Sequence, residues 1–82
     1  MSNEEIFQKM KDLVSEQFGM EPDEVTPDTS FEDDLGADSV DVVELVMAME
    51  EEFELGLTQE DELKALKTVG DAVNYVAGKL NK

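Results

Sequence analysis

Apolar residues near the N-terminus recur at steps of three and four, which is the spacing of an amphipathic helix. The pattern covers residues 3–18. Ser2 and Glu5 can form a capping box in front of it, and Gly19 is a typical helix stop behind it. The apolar positions are Ile6, Met10, Leu13, Val14 and Phe18. The pattern therefore predicts a first helix with one buried face.

A long polar loop is predicted between this helix and the next one. Residues 20–38 contain both prolines and many Asp, Thr and Ser residues. Three isolated apolar residues can anchor this loop to the core, namely Val25, Phe31 and Leu35. Loops of this length are usually functional or disordered, and the spaced anchors favour order. Helical spacing then returns over residues 39–53, and Gly56 breaks it.

Two shorter helical segments complete the chain. Thr58 with Asp61 can open a short helix that reaches about Leu66, and Thr68 with Asp71 can open the last helix. The core stripe of that last helix is expected to be Val69, Val73, Val76 and Leu80. The chain contains no strand-like alternation, repeat or linker. The predicted fold class is all-α, a single domain over residues 1–82 built as a bundle of three main helices plus one short helix.

The helix over residues 39–53 carries two apolar stripes. The stripe predicted to face the core consists of Val42, Leu45, Val46, Met49 and Phe53. On another side, Val40, Val43 and Met47 project together beside Glu44 and Glu51. Single exposed apolar residues are ordinary. Three aligned residues rimmed by carboxylates favour a surface that binds a partner.

Ser39 stands between two aspartates at the start of this helix. If Asp38 is the N-cap, Asp41 falls at the third helical position, and Ser39 is the first helical residue with its hydroxyl free. If Ser39 is the cap, the third position is Val42 and the capping box is lost. The first arrangement places the hydroxyl beside unpaired backbone N–H groups, which stabilise an attached anion such as a phosphate ester by about 0.3–1 kcal/mol. Ser and Asp are also common helix starters, so the spacing alone leaves the role of Ser39 open.

The amino-acid composition excludes several kinds of functional site. The 82 residues include no cysteine and no histidine, which excludes disulfides, zinc sites of Cys and His, and Ser-His dyads. Any thiol must belong to an attached group. The chain has six lysines and 22 acidic residues, which gives a net charge of −16. This charge disfavours binding to nucleic acid and anionic membranes and favours binding to basic protein surfaces. We expect a monomer in the cytoplasm, with no metal site and no membrane insertion.

The stretch GADSVDVVELVMAMEEEF, residues 36–53, resembles the serine motif and second helix of acyl carrier proteins of bacterial type II fatty acid synthesis. The resemblance extends over nearly the whole chain and includes TPDTSFEDDLGAD and KTVGDAVNYV. It implies a carrier without catalytic residues. It also implies that Ser39 is the attachment point of 4'-phosphopantetheine, which a phosphopantetheinyl transferase moves from coenzyme A, and that the acyl chain is carried as a thioester on the terminal thiol.

The resemblance implies roles for two further sets of residues. Basic patches on successive fatty acid synthesis enzymes would bind a partner face formed by Asp38, Val40, Asp41, Val43, Glu44, Met47, Glu50 and Glu51. The walls of an acyl pocket would be formed by Val42, Val46 and Met49, with Phe31 and Leu66 nearby. Two features depart from the family. Val40 replaces the usual Leu or Met after the serine, and the segment LGLTQEDELKAL lacks the proline often found there and is one residue longer.

Other classes of protein fit less well. An EF-hand frame counted back from Gly36 would put Phe31 at the position that needs an acid. An enzyme with Ser39 as nucleophile has no histidine to serve as its base. Two readings stay open, a carrier of a specialised polyketide or aminoacyl pathway, and an unmodified acidic module that binds a basic protein.

Overall fold

The computed structural model describes residues 2–80 and has the all-α fold that the pattern predicts. The described residues form four α-helices: α1 (Asn3–Phe18), α2 (Ser39–Phe53), α3 (Glu60–Lys64) and α4 (Val69–Leu80). A single 3-10 turn, Pro22–Glu24, lies between α1 and α2. Within the described part of the chain no β-strand forms, and the nearest feature is one isolated antiparallel bridge between Ser30 and Thr68. The prediction of three main helices and one short helix is confirmed.

Local capping explains where α1 begins and ends. The Ser2 hydroxyl accepts a hydrogen bond from the Glu5 N–H at 3.2 Å, and the Ser2 N–H donates to Glu5 Oε1 at 3.2 Å. Gly19 ends the helix with a φ of 66°, in the left-handed region that glycine adopts without strain. Both predicted signals are therefore confirmed.

The core lies where α1 packs against α2 and α4. The three main helices contribute Ile6, Met10, Val14, Leu45, Val46, Met49, Phe53, Val69, Ala72, Val73 and Val76 to it. Four residues predicted for these stripes are not fully buried. Leu13 and Phe18 of α1 are half-buried and pack against the core. Val42 is only half-buried, because it lines an open groove, and Leu80 is exposed at the last residue of α4. Ala72 was not predicted and is fully buried.

The boundaries around α3 were predicted wrongly. The helix spans five residues, and its N-cap is Gln59, whose N–H donates to Glu62 Oε1 at 3.2 Å. Thr58 does not cap it, because the Thr58 N–H donates to the Glu50 carboxylate and the Thr58 hydroxyl accepts from the Tyr75 hydroxyl at 2.9 Å.

The helix α2 ends at Phe53, as predicted, but Gly56 is not the residue that ends it. The chain leaves the helix at Glu54, which has a φ of 54°, two residues before Gly56. The N–H groups of Glu54 and Leu55 both donate to the carbonyl of Glu50, which closes the last turn. A glutamate thus occupies a left-handed position that usually belongs to glycine.

The long loop is ordered by its three predicted anchors, which all pack in or against the core, and by backbone bonds to the segment before α4. Val25 and Phe31 are buried, and Leu35 is half-buried. Three backbone N–H groups donate across the two segments: Phe31 to Lys67 at 3.0 Å, Val69 to Thr29 at 2.9 Å and Gly70 to Pro27 at 2.8 Å. These bonds hold the loop beside the α3–α4 connection. None of the helices in residues 2–80 is long and apolar enough to cross a membrane.

Candidate functional site

The start of α2 leaves the hydroxyl of Ser39 free. Asp38 is the N-cap, since its Oδ1 accepts from the Asp41 N–H at 3.0 Å while its own N–H donates to Asp41 Oδ2 at 3.3 Å. Ser39 is the first helical residue and is exposed. The predicted arrangement with Asp38 as the N-cap therefore forms, and the alternative with Ser39 as the N-cap does not.

A hydrogen-bonded turn in the loop determines where Ser39 lies. The Ser30 N–H donates to Asp34 Oδ2 at 2.7 Å, and the Leu35 N–H donates to the Ser30 carbonyl at 3.1 Å. One residue before the cap, the Ala37 N–H donates to the carbonyl of Phe31 at 2.7 Å, and Ala37 is buried. Because the Phe31 N–H donates to the Lys67 carbonyl, these bonds tie the start of α2 to the connection between α3 and α4.

An open groove of about 750 Å³ lies beside Ser39. Its walls come from the loop at residues 30–33, the start of α2 at residues 37–43, and α3 with its C-terminal connection at residues 60–68. Ser39 lies on its rim. The lining is mostly apolar inside, and the rim carries charges of both signs from Glu32, Asp33, Glu60, Lys64 and Lys67.

Three of the five residues predicted for an acyl pocket line this groove, namely Phe31, Val42 and Leu66. The other two, Val46 and Met49, are buried in the core and do not line it. Leu63 lines the groove and was not predicted. Its position three residues before Leu66, on the same face of a helical segment, was the signal that could have found it.

Six of the eight residues of the predicted partner face are exposed, and two are half-buried. Val40, Val43 and Met47 have exposed fractions of 62%, 40% and 60%, and Val43 also lines the groove. The exposed acids of the face are Asp38, Glu44 and Glu51. Asp41 and Glu50 are half-buried, and both are engaged within the chain, Asp41 by the N–H of Asp38 and Glu50 by the N–H of Thr58.

The geometry at Ser39 suits a covalently attached phosphate. The N–H groups of Ser39 and Val40 lie in the first turn of α2, where a helix offers them no carbonyl acceptor. They place partial positive charge beside the serine hydroxyl, and a phosphate ester there gains about 0.3–1 kcal/mol. No group of carboxylates within residues 2–80 is arranged to hold a metal ion. The site thus combines an accessible hydroxyl, a helix start and an apolar groove.

Comparison with known proteins agrees with this geometry. The family described as "phosphopantetheine attachment site" matches residues 8–76. An acyl carrier protein of Bdellovibrio bacteriovorus is 57% identical over 74 residues, which are 90% of this chain and 94% of that protein. A solved structure of the acyl carrier protein from Enterococcus faecalis superposes with a TM-score of 0.78 at 37% identity, covering 96% of this chain and 99% of that one.

These matches define the chain as a phosphopantetheine-bearing carrier domain, which is a carrier and not an enzyme. The chain belongs to the acyl carrier protein family. Its cofactor is covalently bound 4'-phosphopantetheine, which a phosphopantetheinyl transferase attaches, and it works with synthesis enzymes. An unmodified acidic binding module is therefore the wrong interpretation.

Proposed function

We propose that Ser39 bears the 4'-phosphopantetheine arm and that the protein shuttles acyl intermediates between the enzymes of fatty acid synthesis. The observation that carries this proposal is the exposed hydroxyl of Ser39 at the rim of an apolar groove. When bound, the arm supplies a thiol that holds the acyl group as a thioester. The protein supplies the attachment oxygen, the helix start beside the phosphate, and the groove.

The groove is the proposed shelter for the acyl chain. Phe31, Val42, Leu63 and Leu66 offer it apolar contact next to the attachment point. Burial of apolar surface stabilises by roughly 0.8 kcal/mol per CH₂ group. An acyl chain that enters the groove even partly is therefore more stable than one exposed to water. Val46 and Met49 are buried in the core. They stay predicted pocket residues, and they would contact an acyl chain only if the groove opened further inward.

The partner face is proposed to bind basic patches on successive enzymes. Its apolar contact is the exposed strip of Val40, Val43 and Met47, and its charges are the exposed acids beside that strip. Exposed charge pairs are individually weak and are screened by salt, which permits the rapid release that a shuttle needs. Because its net charge of −16 makes copies of the protein repel one another, we expect a monomer. We also expect a single domain that works in the cytoplasm.

A substitution in the apolar strip tests this face. We expect Met47→Ala to lower kcat/KM for a fatty acid synthesis enzyme at least about fivefold, because an interface anchor is worth more than about 1 kcal/mol. Leu57→Ala is the matched control, since Leu57 is 85% exposed but lies outside the strip. Both variants should keep the wild-type Tm. Equal losses in the two variants, or no loss in Met47→Ala, would contradict the assignment of the strip.

Reconstitution tests the pathway. Holo protein is incubated with purified malonyl-transfer, condensing and reducing enzymes of bacterial type II fatty acid synthesis, and the protein-bound acyl groups are followed by intact mass. We expect a series of fully reduced, progressively longer acyl groups. Holo protein that these enzymes do not extend, but that enzymes of a polyketide or aminoacyl pathway do load, would overturn the assignment to fatty acid synthesis and support the specialised carrier.

A further inference from the structure

A chain of two hydrogen bonds joins α2, the α2–α3 connection and α4. The Tyr75 hydroxyl on α4 donates to Thr58 Oγ1 at 2.9 Å, and the Thr58 N–H donates to a carboxylate oxygen of Glu50 on α2. All three residues are half-buried. We call this arrangement of Glu50, Thr58 and Tyr75 the clip. It fixes the connection two residues before α3 begins at Glu60.

The clip matters because α3 has few other attachments. The helix has five residues, none of them fully buried. Leu63 is half-buried against the core, and Glu62 pairs with Lys79 at 3.7 Å. A partly exposed ion pair of this kind contributes little. The position of α3 therefore depends on the connections at its two ends, and the clip holds the N-terminal one.

The same helix forms one wall of the groove through Glu60, Leu63 and Lys64. The opposite wall, at residues 30–33 and 37–43, belongs to the loop and α2, which backbone bonds and core packing hold in place. Displacement of α3 away from α2 is thus the simplest way for the groove to widen. The clip opposes that displacement, because it ties the start of α3 to both neighbouring helices.

We propose that the clip is a specificity-determining element that limits the length of acyl chain the groove shelters. This inference rests on the proposed function, in which the acyl chain enters the groove. Thr58 is essential to it, since its hydroxyl and its N–H serve the two bonds. A proline at this position would supply neither group.

Amide hydrogen exchange on the unmodified protein tests the mechanical part. Tyr75→Phe and Thr58→Val each remove the hydroxyl bond while keeping the size of the side chain nearly constant. We expect amides of residues 59–66 to exchange about 2- to 12-fold faster in either variant, the effect of losing one hydrogen bond. The double variant should add nothing further, because both changes delete the same bond.

Amides in α1 are the internal control for this experiment. Met10 and Val14 are fully buried and far from the clip in the chain, and their exchange reports global opening. The lost bond can accelerate them too, because global unfolding also breaks the clip, but they should stay more strongly protected than residues 59–66 in the wild type and in both variants. Unchanged exchange at residues 59–66, or protection there equal to that in α1, would overturn the proposal.

The specificity part is tested on protein loaded with acyl chains of increasing length. Sheltering is measured as the rate at which hydroxylamine cleaves the thioester. We expect Tyr75→Phe to protect longer chains than the wild type does. Asn74→Ala should match the wild type, because Asn74 is an exposed residue beside Tyr75 that belongs neither to the partner face nor to the groove. An unchanged length profile in Tyr75→Phe would overturn this inference alone. Failure of the wild type to accept any arm at Ser39 would instead overturn the proposed function, and amide exchange would still measure the clip.

Discussion

Gly70 is predicted to be a position where alanine is harmful even though it lies in a helix. It belongs to the first turn of α4 and faces Pro27 of the long loop. A Cβ atom at this position would lie 2.9 Å from the Pro27 carbonyl oxygen, closer than real Cβ atoms approach. The same oxygen accepts the Gly70 N–H at 2.8 Å. An alanine therefore forces the two backbones apart and weakens that hydrogen bond.

The magnitude follows from opposing contributions. Helix propensity favours alanine over glycine by up to about 1 kcal/mol. Against this, the overpacked contact costs about 1–3 kcal/mol, and the weakened hydrogen bond costs about 0.5–1.5 kcal/mol. We expect Gly70→Ala to lower the free energy of unfolding by about 1–3 kcal/mol. For a domain of this size each kcal/mol lowers the Tm by roughly 4–8 °C.

Gly78 provides the matched control on the same helix. An added Cβ there meets no atom within 4 Å. Gly78→Ala should therefore raise the free energy of unfolding by up to about 1 kcal/mol, opposite in sign to Gly70→Ala. Both variants are compared with the wild type by urea and thermal unfolding, followed by circular dichroism at fixed ionic strength. A Gly70→Ala protein as stable as Gly78→Ala would refute the close approach of the loop to α4.

Two further predictions concern Glu54 and Glu5. Among the described residues Glu54 is the non-glycine with a positive φ, so Glu54→Gly should be about 0.5–1 kcal/mol more stable to unfolding than the charge-matched Glu54→Ala; equal stabilities would contradict strain there. Two hydrogen bonds hold the pKa of the Glu5 carboxyl below the usual 4.5. The larger effect comes from the Ser2 N–H and the smaller from the Ser2 hydroxyl, both of which donate to Glu5. Since the folded pKa is the lower one, this stabilisation is present above about pH 4.5 and is lost as the pH falls through the folded pKa. Glu5→Gln should therefore have a lower Tm than Glu4→Gln at neutral pH, with a gap that closes in acid, and a gap independent of pH would contradict the assignment.

The elements that sequence predicted well depend on neighbours in the chain. The capping boxes at Ser2 and Asp38 pair residues three positions apart, and those bonds form inside one turn. The placement of Ser39 as a free hydroxyl followed from the same local rule. Periodicity likewise located the buried face of α1 and most of that of α2, since each stripe is a property of one helix.

The elements that sequence missed depend on distant partners. Thr58 looked like a helix cap, but its hydroxyl pairs with Tyr75, 17 residues later. Val46 and Met49 do not line the open groove, because a helical projection gives the face of a side chain and not the element that covers it. Met49 is fully buried in the core, whereas Val42 on the same face is half-buried and lines the open groove.

We expect Ser39 alone to receive the phosphopantetheine arm. The wild type, Ser39→Ala and Ser30→Ala are each incubated with coenzyme A and a phosphopantetheinyl transferase, and their intact masses are measured. Ser30 is the control because it also lines the groove but lies in the loop, where its backbone and hydroxyl stabilise a turn. We expect one phosphopantetheine increment on the wild type and on Ser30→Ala, and none on folded Ser39→Ala. An increment that persists in Ser39→Ala would contradict the account.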